Sequence, residues 1–380
     1  MLVESILSSP APRTIFARSP LRIKSWISAA SVRRYSAVPS YGTTTPIPEN
    51  SPDLLFTSPY RFETGYALSP KRPSRPFPPP FLSPPSTSFS DPLTTHFRGQ
   101  DRRLTLKGDL IRGLTNGDDA VLVAENFIGV NDGVGAWATR PHGHAALWSR
   151  LILHFWALEV ERGSKIAAEP DPVEYLQRAY EETVEATTKP NEWVGTTTTV
   201  TALLHHTEDP DPKPILYVTN LGDSQVLVIR PGEQQPIFKT TEQWHWFDCP
   251  LQLGTNSKDT PRKDAVLSKV ELQENDIVVA VSDGVIDNLW EHEIVSTILK
   301  AVERWEAGEG GEAQGDRTAG AGGGMVYAAR ELLKAAHTIA QDPFAESPYM
   351  EKAIEEGLTI EGGKMDDISV VTALCKKRPG

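Results

Sequence analysis

Short apolar runs in this chain repeatedly stop or start at aspartate. FIGVNDGVGAW (Phe127 to Trp137) runs out at Asp132, and VVAVSDGVID (Val278 to Asp287) at Asp283 and Asp287. NGDDA puts Asp118 and Asp119 ahead of the AVLV run, and LGDSQ puts Asp223 between LYVTN and VLVI. KMDDIS puts Asp366 and Asp367 ahead of SVVTAL. Runs of four to eight β-branched and aliphatic residues bounded by Gly and Asp read as strands. If those strands stack in sheets, their acidic ends converge on one rim. Carboxylates a few ångströms apart repel strongly unless protons or cations lie between them. Hard divalent ions take oxygen ligands, which points to Mg²⁺ or Mn²⁺. No His or Cys spacing suits zinc. Two such ions, roughly 3.5–4 Å apart, clamp a bridging water and lower its pKa, which suits phosphoryl transfer to water. Gly133, next to Asp132, leaves its carbonyl open to an ion without a nearby Cβ. A single Asp-Gly is usually only a turn; number and order carry the reading.

The intervening segments set the class. AVLVAENFIGVND (Ala120 to Asp132) reads as two strands around a short turn. GHAALWSRLILHFWALEVER (Gly143 to Arg162) has helical spacing, and its dense stripe of Leu151, Leu153 and Phe155 predicts packing on a sheet. A second helix follows over Asp171 to Thr187, with Asp171 as N-cap and Pro172 in the first turn. GTTTTVTALLHH (Gly195 to His206) is strand-like, Pro214 to Glu233 reads as a hairpin, and Asp264 to Gly284 adds strands. Two helices then flank a glycine-rich insert, and DDISVVTALC (Asp366 to Cys375) closes the chain with a strand. Strands joined by hairpins, with helices in pairs, predict an α+β fold with antiparallel sheets rather than a doubly wound parallel sheet.

The N-terminus differs from the rest. Between Met1 and Ser40, Arg13, Arg18, Arg22, Lys24, Arg33 and Arg34 face a single acid, Glu4. Arg-rich, Ser-rich, acid-poor composition predicts a mitochondrial transit peptide over residues 1–35, with RRYSA cut after Tyr35. Residues 36–100 are rich in Pro and Ser and predict a disordered linker. Folded sequence is then expected over residues 101–377, with the insert at about 307–324. The net charge of −12 excludes nucleic acid as an expected partner. Two distant cysteines, Cys249 and Cys375, suggest no disulfide framework, and no run reaches the length of a membrane span.

Taken in order, NGDDA, GVNDGVGAW, GTTTTVTALL, LYVTNLGDSQVLV, VVAVSDGVIDNLW and KMDDISVVTAL resemble the motifs of the metal-dependent PPM (protein phosphatase 2C) serine/threonine phosphatases. The resemblance spans about Lys107 to Cys375. With the transit-like N-terminus, DGVGAW and GGKMDDISVV are most similar to the mitochondrial branch of that family. The resemblance implies two stacked antiparallel sheets flanked by helix pairs. It implies phosphoserine and phosphothreonine in mitochondrial proteins as substrates, ubiquinone-biosynthesis enzymes among them. A monomer is expected. Carried over by motif, Asp132 bridges both metals and Gly133 gives its carbonyl to one. Asp283 binds the second metal and Asp366 the first. Asp118 and Asp119 act through bound waters, and Asp223 and Asp287 match a weaker third site shared with Asp283. Asp367 stands where the family usually has Asn.

Two positions depart from the pattern. Many members have His after the first Asp-Gly; here it is Val134, which leaves the leaving-group proton to a metal-bound water or, less favoured, to His142 or His144. The family often has Arg four residues before the acidic pair; here it is Leu114, and Arg112 is the nearest candidate to hold phosphate. The aromatic stretch Trp244, His245, Trp246 and Phe247 reads either as a substrate loop or, more simply, as packing onto the sheet. Two further readings stay open: a catalytically silent scaffold on the same fold, and a hydrolase of a small phosphate ester.

Overall fold

The structure, a computed structural model, describes residues 58–81, 104–106, 109–164, 169–190, 192–233, 235–310 and 323–379. All of these belong to one compact unit, Thr44–Gly380. The expected transit peptide, much of the expected linker and residues 311–322 of the glycine-rich insert lie outside the described residues.

Eleven strands build the sandwich: β1 (Tyr60–Ser69), β2 (Leu114–Asn116), β3 (Asp119–Val123), β4 (Phe127–Asn131), β5 (Thr199–His206), β6 (Pro214–Leu221), β7 (Gln225–Ile229), β8 (Phe238–Lys239), β9 (Val266–Glu271), β10 (Ile277–Val281) and β11 (Ile368–Lys377). One sheet runs β9-β6-β5-β4-β3-β2 and the other β1-β11-β10-β7-β8. Every pairing within the two is antiparallel. Among the described residues the frame is completed by α1 (Ala145–Gly163), α2 (Pro172–Thr188), the single turn α3 (Asp283–Ile286), α4 (Glu291–Glu306), α5 (Gly323–Ala340) and α6 (Pro348–Glu355), with one more helical turn at Pro261–Asp264.

The two-residue period of a strand explains the layers. Val121, Ile128, Val130, Val200, Ala202, Leu204, Leu216 and Val218 turn inward from one sheet. They meet Val226, Val228, Val278, Ala280, Val371 and Ala373 from the other. The alternate residues face outward. Leu122, Phe127, Leu203 and Tyr217 pack under α1 and α2; Leu227, Val279, Val281 and Val370 pack under α4 and α5. Strands covered on both faces read as continuous apolar runs. Helix α1 is buried along nearly its whole length, as its dense stripe predicts. Asp171 caps α2 by accepting from the Glu174 amide at 3.1 Å. The α+β class and the paired helices follow the expectation.

Two expectations change. First, folded sequence begins well before Arg102. Tyr60–Ser69, inside the expected linker, pairs with β11 along its whole length, from Tyr60 with Lys377 to Ser69 with Ile368. Its burial alternates, with Tyr60 and Phe62 turned inward. Proline density just downstream hid a strand that itself contains no proline. Second, Pro214 to Glu233 is no hairpin. β6 and β7 are both wholly buried and lie in different sheets. The Gly222-Asp223-Ser224 turn therefore crosses from one sheet to the other. A solvent-exposed hairpin would alternate polar and apolar residues, and these strands do not.

Candidate metal centre

The crossing turn fixes where the acids meet. Asp132 leaves the end of β4 and Asp119 opens β3, both from one sheet. Asp283 follows β10, and Asp366 precedes β11, both from the other. Asp223 lies between. The strand ends thus deliver carboxylates from both layers to one end of the sandwich.

Their electrostatics confirm the proximity. Burial, then Asp283, Asp119, Asp223 and Asp366, push the Asp132 carboxyl well above the usual range. Burial, Asp367 and Asp283 do the same to Asp119, against a hydrogen bond from Ser369 Oγ at 2.7 Å. Asp223 is raised by burial, Asp283 and Asp287. Burial lifts Asp366 to about 7 and Asp287 to about 6. Asp119 Oδ1 and Asp223 Oδ1 are buried without a hydrogen-bond partner. Buried oxygens without donors are costly unless something positive completes them.

The backbone around these acids is held by hydroxyls. The Asp132 carbonyl accepts from Thr198 N at 2.9 Å and Thr197 Oγ1 at 2.7 Å. Thr198 Oγ1 pairs with Ser224 Oγ at 2.9 Å, and Thr199 Oγ1 donates to Asn131 Oδ1. The GTTTT run is therefore more than a strand; its buried hydroxyls tie the ends that carry Asp132 and Asp223. Gly133 is required for space rather than for an open carbonyl alone: a Cβ there would lie 2.1 Å from the Asp118 carbonyl oxygen. This close approach docks the Asp118 turn against the start of the Asp132 loop.

Asp366 and Asp367 divide clearly. Asp367 accepts from the Asp118 amide at 2.8 Å and the Lys71 amide at 2.6 Å, so both its oxygens clasp backbone. Asp366 instead faces cations, Lys71 Nζ at 3.7 Å and Lys364 Nζ at 3.9 Å. Asp118 sits at the edge, 3.4 Å from Arg72 Nη2.

Lys364 is the residue the sequence reading overlooked. Its ammonium donates to Asp283 Oδ2 at 2.8 Å, Asp287 Oδ2 at 2.7 Å and Asp248 Oδ1 at 3.2 Å. Burial alone would lower its pKa, but Asp283, Asp287 and Asp366 hold it well above the ordinary lysine value. Among the described residues no three His, Cys, Asp or Glu side chains stand close enough to close on one ion. The donor set nonetheless fits a hard dication: carboxylate oxygens from both sheets, two lacking partners, with no imidazole or thiolate among them.

Other sequence candidates lie elsewhere. The Arg112 guanidinium forms a two-pronged ion pair with Glu161 on α1, and its amide donates to His154 Nδ1. It faces the outer helix layer, which corrects the expectation that it holds phosphate. Arg72, just after β1, is the guanidinium beside the acids, on a segment whose proline-rich surroundings read as linker. His144 caps α1, accepting from Leu147 N on Nδ1 while Nε2 meets the Pro76 carbonyl at 3.1 Å. Burial pushes its pKa down. His142 packs its ring on Trp193. The aromatic stretch forms a hairpin, Trp244–Trp246 with Cys249–Pro250. Phe247 stacks on Tyr349, Lys352 lies over Trp244, and Trp246 stays 69% exposed, so this stretch is not simply packed onto a sheet.

No family model matches the chain. Among curated proteins it is 30% identical over 291 residues to "Protein phosphatase PTC7 homolog" of Xenopus laevis, covering 73% of this chain and 86% of that one. It is 31% identical over 272 residues to "Probable protein phosphatase 2C 1" of Oryza sativa subsp. japonica, covering 69% and 68%. Among solved structures it resembles the photosystem II phosphatase PBCP, with a TM-score of 0.55 and 25% identity over 83% of this chain and 99% of that one.

Proposed function

Because the chain belongs to the PPM (protein phosphatase 2C) family, we propose that it hydrolyses phosphoserine and phosphothreonine in mitochondrial proteins, using Mg²⁺ or Mn²⁺. The observation that carries this reading is the convergence of Asp119, Asp132, Asp223, Asp283 and Asp366 from both sheets on one rim. Asp132, Asp283 and Asp366 are the donors proposed for two ions, with the Gly133 carbonyl, and with Asp118 and Asp119 acting through water. When bound, such a pair of ions supplies a water acidic enough to attack a phosphate ester near neutral pH.

The chain's own residues do the rest. Thr197 and Thr198 lock the Asp132 backbone, so that carboxylate presents a fixed direction. Asp367 pins both the Asp118 turn and the Lys71 backbone, which sets Arg72 beside the acids. Arg72 is 58% exposed in its side chain and has donors to spare for a phosphate oxygen. Val134 offers no proton at the position where a His would stand. The substrates proposed include ubiquinone-biosynthesis enzymes, and the address rests on the Arg-rich, acid-poor residues 1–35. Among the described residues no helix is long and apolar enough to cross a membrane.

The test is a phosphatase assay on the protein with residues 1–35 removed. Phosphopeptide hydrolysis should require Mn²⁺ and stop with chelator. Full activity in Asp132→Ala and Asp283→Ala would remove this centre from the reaction. For the address, residues 1–40 fused to a fluorescent reporter should reach mitochondria; a diffuse cytosolic signal would refute it.

A further inference from the structure

We propose that the Lys364 ammonium is a tethered counter-cation occupying the position between Asp283 and Asp287, so that the centre takes two metal ions and is closed to a third. The proposal rests on the metal-dependent reading above. Lys364 Nζ lies 2.8 Å from Asp283 Oδ2 and 2.7 Å from Asp287 Oδ2, with Asp248 Oδ1 at 3.2 Å. An ammonium has three N–H donors, and these oxygens take all of them. A third ion would compete for the same lone pairs.

The lysine is held in place by more than its charge. Asn288 grips its backbone from both sides, accepting from Lys364 N at 2.9 Å and donating to Lys364 O at 2.8 Å. Asn288 also donates to Gly284 O, which ties that grip to the Asp283 turn. The ammonium sits 4.9 Å from the Tyr349 ring centroid, and its side chain is 19% exposed. The other oxygen of Asp287 faces a second cation, Lys352 Nζ at 4.0 Å, itself held by Glu242 at 2.8 Å. A charge fixed by its own chain acts at a high effective concentration, which a dissolved ion must exceed. Asp223 Oδ1 remains without a partner, and removal of the lysine would free one oxygen each of Asp283 and Asp287 for an ion.

The experiment counts metal. The full chain is dialysed against Mn²⁺, and bound manganese is measured by elemental mass spectrometry. Wild type should hold two ions. Lys364→Met should hold three at the same free Mn²⁺, and Lys364→Met with Asp287→Asn should return to two. Two ions in Lys364→Met, or three in wild type, would overturn the proposal. No bound manganese in wild type would instead sink the metal-dependent reading itself. A second measurement uses wild type alone and does not depend on folding of a variant. Reductive methylation with peptide mass spectrometry should leave Lys364 unmodified at saturating Mn²⁺. Methylation of Lys364 only after metal loading would mean that the ion displaces it, and the proposal fails.

Discussion

Between the sheets, Val200, Val218 and Val278 meet only an apolar layer. A few residues further along the same strands, or just past their ends, Asp132, Asp223 and Asp283 meet other carboxylates. The interior follows the hydrophobic effect, at about 1.5–3 kcal/mol for each buried Val, Leu or Ile. The rim runs against electrostatics, with like charges gathered where water is scarce. The difference teaches that the rim does not hold itself together. It is imposed by a frame whose stability lies elsewhere, and it is partly offset by Lys71, Arg72 and Lys364.

That division can be broken most decisively at Asp132. Asp132→Ala should lower phosphopeptide turnover about a thousandfold, on the order of 4 kcal/mol. In chelator, however, it should raise the melting temperature, because a buried carboxyl disfavoured by its neighbours is gone. A lower melting temperature would mean that the rim stabilises the fold. Leu216→Ala, in the fully buried layer, should do the reverse. Denaturant unfolding should lose about 2–5 kcal/mol, while Mn²⁺ affinity by calorimetry stays unchanged.

The pH dependence sharpens the same contrast. Asp366 and Asp287 titrate at about 7 and about 6 in the fold, above the ordinary 3.8. The native state therefore keeps protons that the unfolded chain has lost, and stability falls as pH rises between those limits. Metal-free protein should melt at a higher temperature at pH 5 than at pH 8, and Asp366→Asn should flatten that slope. Saturating Mn²⁺ should abolish it.

The smallest effects separate two arginines. Arg72→Ala should raise KM for a phosphopeptide about tenfold, near 1.4 kcal/mol. Arg112→Ala, which breaks the Glu161 pair, should leave KM alone and cost about 1 kcal/mol of stability. Equal KM for both variants would return the phosphate contact to the unknown.

Much of this was legible in the sequence because strands ending in Asp-Gly announce both layer and rim. The class, the helix pairs, the Asp171 cap and the convergence of Asp132 with Asp283 followed from period and punctuation alone. What escaped had physical reasons. β1 was masked by the prolines after it. The β6–β7 turn looked like a hairpin because crossing between sheets leaves no local mark beyond two wholly buried strands. Lys364 stands two residues before Asp366 in GGKMDD, but a search for acids passes over the base that neutralises them. The GTTTT hydroxyls read as β-branched bulk, since burial alone turns them into ties. Arg72 belonged to a stretch set aside as linker.

One strand reaches further than its place at the sheet edge suggests. β1 covers the open side of β11 over ten residues, and the chain leaving it carries Lys71 and Arg72 to the acids. A fragment cut at residue 100, where proline-rich sequence invites trimming, would uncover a long apolar template for aggregation and disarm the enzyme in the same stroke. Any protease acting in the cell must therefore stop short of Tyr60 to leave a working molecule.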